Sequence, residues 1–130
     1  MLILAIRTDQ PEASLALYQD SKELAGSRWL AHRQLADTIH EKIRNLLESR
    51  SLDFRDLEGL VVFRGPGSFT GLRIGISVAN ALAEGLSIPI VSAIGDQWQE
   101  EGCKRLELSE NEKIVLPEYG APPKVTRPKK

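Results

Sequence analysis

The sequence predicts an α/β protein built on one mixed sheet, with elements in the order β-β-β-α-β-α-β. Three observations predict it. Apolar residues alternate or run together in three short stretches before residue 30, with polar turns between them. The period then changes to that of a helix, twice, over 31–50 and 70–86. Each helical stretch is followed by a short apolar run, which is the pattern of a strand–helix–strand crossover.

The elements follow in order. Residues 2–6 (LILAI) form a continuous apolar run, as in a strand covered on both faces. After the turn TDQPE, residues 13–19 (ASLALYQ) alternate, with Ala13, Leu15 and Leu17 on one face. Residues 23–30 (ELAGSRWL) supply a third strand, and the short turns favour an antiparallel meander. From Ala31 to Arg50, Leu35, Ile39, Ile43 and Leu46 recur at helical spacing, opposite Arg33, Asp37, Lys42, Arg44 and Glu48. Residues 58–64 (EGLVVFR) make a fourth strand, ended by GPGSFT. The second helix runs from about Thr70 to Leu86, with Ser68 or Thr70 as its N-cap.

On a helical wheel the apolar and small residues of that second helix cover an arc of roughly 220°, wider than one buried stripe needs. The helix is therefore expected to pack on the sheet and on something else. Gly71, Gly75, Ala79 and Ala83 form a smooth ridge that would let another backbone approach. Residues 88–94 (IPIVSAI) are a fifth strand, 96–107 a short helix, and 113–119 (KIVLPEY) a last edge strand closed by Pro117. A single domain over 1–119 and a flexible basic tail over 120–130 result.

Composition narrows the function. The chain has 130 residues, enough for one core, and its net charge of −1 gives no general attraction to nucleic acid. One cysteine, Cys103, cannot form an internal disulfide, so a reducing, cytoplasmic setting is expected. No apolar run reaches membrane-spanning length, and no membrane partner is expected.

Candidate chemistry is sparse. The stretch GPGSFTGLRIGIS looks like a phosphate loop, but Leu72 and Arg73 follow Gly71 where a P-loop needs Lys and Ser or Thr. The dinucleotide pattern also fails, because Thr70 stands at its sixth place. What remains is a strand-to-helix turn whose free N–H groups could meet an anion, with Gly67, Ser68, Thr70, Gly71 and Arg73 as candidate nucleotide contacts. No metal set is expected: His32 and His40 stand apart, and Asp9, Glu12 and Asp20 read as solvated turn residues. Cys103 lacks an activating neighbour, and no catalytic residue is assigned. Lys124, Arg127, Lys129 and Lys130 could touch RNA phosphates weakly.

GPGSFTGLRIGIS, followed by an apolar helix and IPIVSAIG, resembles the signature of the TsaB (YeaZ) family. The opening LILAIRT, the hairpin ASLALY and the helix RQLADTIHEKIRNLL extend the resemblance over residues 1–95. It implies the first lobe of an actin-like ATPase (ASKHA, RNase H-like) fold. It also implies a non-catalytic subunit that binds the TsaD transferase in biosynthesis of threonylcarbamoyladenosine in tRNA, with TsaE in the same complex and tRNA contacted indirectly. On that resemblance, the docking surface is made by both helices, through Leu35, Ile39, Ile43, Leu46, Leu72, Gly75, Ile76, Ala79 and Ala83. The same surface could support a homodimer. The chain itself has no cofactor, and ATP or ADP would sit only at the partner interface. The alternative is a nucleotide-binding enzyme or switch that uses turn 65–71.

Two departures from the family stand out. Arg7 occupies the first-strand turn where the superfamily has Asp, and a cation there cannot hold Mg²⁺. The family is also about twice this length. VLPEYGAPPKVTRPKK resembles the far C-terminal end of full-length members, so an internal loss of most of a second lobe is expected, with a terminal strand retained.

Overall fold

The computed structural model describes residues 1–31, 34–67 and 69–117, with the backbone alone at position 69. Strands β1 (Leu2–Arg7), β2 (Glu12–Gln19) and β3 (Lys22–Leu30) form the meander. Helix α1 (Leu35–Glu48) leads to β4 (Gly59–Phe63), α2 (Phe69–Leu86), β5 (Ile90–Ala93) and α3 (Trp98–Glu107). The five strands lie in the order β3-β2-β1-β4-β5. The β1–β2 and β2–β3 pairs are antiparallel, whereas β1–β4 and β4–β5 are parallel.

The register decides which residues share a face, because side chains alternate along a strand. Leu4 pairs with Leu17 and Leu60, and Ile6 with Leu15 and Val62. With Thr8, these face the helix layer, where α1 covers β2 and β3 and α2 covers β1 and β4. On the other face, Ile3, Ala5, Val61 and Phe63 turn toward α3, which packs on β4 and β5. Gly102 lets α3 seat on Val61, and the Trp98 ring meets Phe63 edge-on at 5.7 Å. Ile3, Leu4, Ile6, Leu17, Leu60, Val61 and Val62 are fully buried. Burying each such side chain stabilises by about 1.5–3 kcal/mol.

The last edge strand expected over 113–119 does not form in its described part. Residues 113–117 lie outside any strand, and 118 and 119 fall outside the described residues, as do the tail and its lysines. The reason is local. Glu112 and Asn111 use their side chains on the β5 edge, and Lys113 then takes a left-handed φ of 69°, which breaks extended geometry.

The result is a clasp rather than a strand. Ile90 N–H donates to Asn111 Oδ1 at 3.1 Å, and Ile90 C=O accepts from Glu112 N–H at 2.8 Å. Ser92 N–H donates to Glu112 Oε2 at 2.8 Å, and Ser92 C=O accepts from Arg105 Nη1 at 2.6 Å. Arg105 also pairs with Glu112 at 3.0 Å and with Glu110 at 2.6 Å. The paired carboxylates hold the Arg105 guanidinium above its already high pKa. One bond further on, the Asn80 amide reads Val115 like a neighbouring strand. It accepts from Val115 N–H at 2.9 Å and donates to Val115 C=O at 3.0 Å.

Candidate partner-docking face and glycine turn

Helix α2 has two apolar sides. The inward side carries Leu72, Gly75, Ile76, Ala79 and Ala83, and every one of them is buried. Gly75 is where the helix touches the sheet. A Cβ at this position would collide with the Thr8 hydroxyl, so no larger residue fits without moving the helix. Thr8 itself is buried and donates its hydroxyl to the Gly71 carbonyl at 2.7 Å, which fixes the first turn of α2 to the end of β1. The small-residue ridge therefore admits the chain's own sheet.

The residues expected from the sequence to meet a partner sit inside this chain's own fold. Leu35, Ile39, Ile43 and Leu46 on α1, and Leu72, Gly75, Ile76, Ala79 and Ala83 on α2, all lie in the core of this chain. Leu35 and Leu46, the more exposed pair on α1, retain only 4% and 6% of their surface. They hold the two helices on the sheet, and an incoming surface cannot reach them while the fold persists.

The outward side of α2 is different. Ile74, Val78 and Leu82 stand four residues apart, half-buried along the flank of α2 that borders α1. The wide apolar arc held this stripe, but the wheel could not separate it from the inward ridge. Two troughs lie along it. One of 450 Å³ runs between Ala36 and the Arg73–Ile74–Ser77–Val78 edge. The other, of 430 Å³, lies between Arg44 and His40 of α1 and the Ala81–Leu82–Gly85 edge. A stripe of this kind, apolar and open at a helix–helix seam, is a surface another helix can fill.

The glycine turn is built as a packing joint. Gly67 lies against Asp9 so closely that a Cβ would collide with the Asp9 side chain. Asp9 is not the solvated turn residue expected from the sequence: it is buried, because Arg7 grips it. Arg7 Nε and Nη2 donate to the two Asp9 oxygens at 2.7 and 3.1 Å. The guanidinium also lies 4.0 Å from the Phe63 ring centre, a cation–π contact. So Arg7 turns back on its own chain and cancels the charge of Asp9. A phosphate approaching Gly67 would meet this closed pair with a carboxylate beside it. Of the other candidate contacts, Thr70 and Arg73 are exposed, Gly71 spends its carbonyl on Thr8, and Ser68 lies outside the described residues. Since α2 starts at Phe69, Thr70 sits inside the first turn and is not the N-cap.

The other polar candidates do not converge. Glu12 and Asp20 are exposed, His40 is exposed on α1, and His32 lies outside the described residues. Among the described residues no group of three His, Cys, Asp or Glu side chains could hold a metal ion. Cys103 is a buried residue of α3, and burial pushes its thiol up to about 11, with Glu107 adding to the shift. A protonated, buried thiol is a poor nucleophile. No helix among the described residues is long and apolar enough to cross a membrane.

Comparison with known proteins places these features in a class. Residues 29–93, half of the chain, match the family model for TsaD, the tRNA N6-adenosine threonylcarbamoyltransferase. This, with the sheet order and the helix layer, defines a single lobe of the actin-like ATPase (ASKHA, RNase H-like) type. The chain is 33% identical over 112 residues to the tRNA threonylcarbamoyladenosine biosynthesis protein TsaB of Escherichia coli, covering 82% of this chain and 48% of that protein. It is 34% identical over 90 residues to TsaB of Bacillus subtilis, covering 69% of this chain and 39% of that one. The solved structure of YeaZ from Pseudomonas aeruginosa superposes with a TM-score of 0.67 at 27% identity, over 78% of this chain and 50% of that one. The chain belongs to the TsaB (YeaZ) family. It spans about half the length of these relatives or less.

Proposed function

We propose that this chain is a non-catalytic scaffold subunit. It docks a TsaD-like transferase through the outward face of α1 and α2, and the pair acts in N6-threonylcarbamoylation of adenosine 37 in tRNA. Membership of the TsaB family motivates the pathway. The observation that carries the docking role is the half-buried stripe Ile74–Val78–Leu82, which the chain's own fold leaves open along its helix seam. The cytoplasm is the setting that goes with this substrate, TsaE is a further member of the complex, and tRNA is reached through the transferase. ATP or ADP is assigned to the interface between subunits, since Gly67 is closed against the Arg7–Asp9 pair. Calorimetric titration of the isolated chain with ATP is expected to show no binding, and saturable binding would overturn that assignment.

The direct test is co-purification with the TsaD protein of the same genome, followed by threonylcarbamoyl transfer to tRNA. A complex whose activity depends on this chain supports the reading. A folded chain that neither binds the transferase nor raises its activity removes it.

A further inference from the structure

Helix α2 is flanked on both sides, and the second flank belongs to the clasp. A trough of 810 Å³ separates the C-terminal half of α2 from residues 111–114, with Ala81, Ile88 and Ile114 among its walls. Ala81 also lines the trough against α1, so the two openings adjoin at this exposed residue. The clasp presents apolar groups outward. Val115 points in and is buried, held by both bonds from Asn80, whereas Ile114 and Leu116 on either side of it are 67% and 73% exposed. Because both Val115 backbone bonds are fixed, these exposed side chains are carried on a held backbone and not on a free end.

Cations outnumber carboxylates along the rim, three to one. Arg73, Arg44 and Lys113 line the three troughs, one each. None makes an ion pair among the described residues. Glu84 is the one described carboxylate that lines any of them. This cationic rim stands on a chain whose net charge is −1, so the sign is a property of this face.

We propose that the docking face extends across α2 onto the clasp, and that it takes a partner surface of apolar ridges flanked by carboxylates. The proposal rests on the scaffold reading above and adds both the extent of the face and the charge of its occupant. Ile114 and Leu116 supply the far apolar edge. Arg73, Arg44 and Lys113 meet the partner's acidic groups at the rim, where charges govern encounter rate and register more than residence time.

The test measures binding of the full chain to the TsaD-like protein of the same genome by surface plasmon resonance, at several salt concentrations. Ile114→Asp and Leu116→Asp are each expected to weaken affinity at least tenfold, mainly through faster dissociation, while the melting temperature stays unchanged. Lys113→Glu and Arg73→Glu are expected to slow association and flatten its salt dependence. In the unaltered chain, hydrogen exchange at the amides of residues 114 and 116 should slow on binding, a readout that needs no variant to fold. If Val78→Asp abolishes binding while the clasp and rim variants bind as the unaltered chain does, and exchange in the clasp is unmoved, the extension is wrong and the scaffold reading stands. If the unaltered chain does not bind at all, both fall together. Self-association of the chain that is blocked by Ile114→Asp, without transferase binding, assigns the face to a second copy and overturns the acidic occupant.

Discussion

The two apolar faces of α2 differ in the size of their side chains and in their burial. The inward face is built from glycine, alanine and two large residues, and it is closed by the sheet. The outward face is built from Ile74, Val78 and Leu82, and it stays half open. Close backbone approach is needed where a helix crosses a sheet, so the small residues go inward. Side chains with reach are left for a surface that something must grip. Smoothness in a helix is thus a sign of internal contact here, and bulk marks the face proposed for an external one.

Substitutions on the two faces should therefore separate folding from binding. The largest effect is expected from Ala79→Arg, which drives a charge into a fully buried position. A lone buried charge costs several kcal/mol, so the chain is expected to lose its cooperative thermal transition; a folded variant with near-native stability would break the contrast. Val78→Asp comes next. It should cost clearly less stability than Ala79→Arg, because Val78 is only half-buried, yet weaken partner affinity by roughly two orders of magnitude, the scale of an interface hot spot. Equal losses of stability from the two variants would mean that both faces are core.

Smaller effects probe the clasp and the buried thiol. Glu112→Gln keeps the shape but removes the charge that holds Ser92 N–H and Arg105. Hydrogen bonds to charged groups are worth about 1.5–3 kcal/mol, and a loss at the low end of that range is expected in urea unfolding. Alkaline titration should act more weakly. Cys103 rises from 9.0 to about 11 on folding and Tyr18 from 10.0 to about 12, each mainly through burial. Both folded-state values are raised, so the folded state keeps these protons longer. Their contribution is complete below the unfolded values and is lost as pH climbs through the folded ones. The melting temperature is expected to be flat through neutral pH and to fall from pH 9 upward. The smallest effect concerns Ser87, which ends α2 with a φ of 56°. Ser87→Gly should stabilise by about 0.5–1 kcal/mol, since glycine takes that conformation without strain.

Much of the fold could be read from residue order. The alternation in 13–19 and the apolar runs in 2–6, 58–64 and 88–94 each placed a strand, because strand burial leaves a mark at short range. The proposed docking face is harder to read. A wheel measures how wide an apolar arc is, and the arc of α2 covers the sheet-facing ridge and the open stripe together. Only the position of Thr8 shows which part is inside, and Thr8 is 67 residues away from Gly75 in sequence. The missed last strand has the same origin. KIVLP has strand composition, but Asn111 and Glu112 had already taken the β5 edge with their side chains. The burial of Asp9 is not legible in the sequence, because its partner is Arg7 and nothing in the spacing shows that the two close on each other beside Phe63.

The clasp has a consequence for how the chain behaves at high concentration. Without it, β5 would present the N–H and C=O groups of Ile90 and Ser92 to solvent as a short, apolar template for any passing extended segment. Proteins guard such edges with charge or cover, because unguarded ones seed aggregates. Here the guard is two carboxylates, an asparagine and an arginine, which satisfy the edge without offering a new one. A proteolytic cut before Glu110 would strip off most of that guard, and Val115 with it, while leaving all five strands and three helices in the chain, so the nicked molecule should precipitate long before it melts.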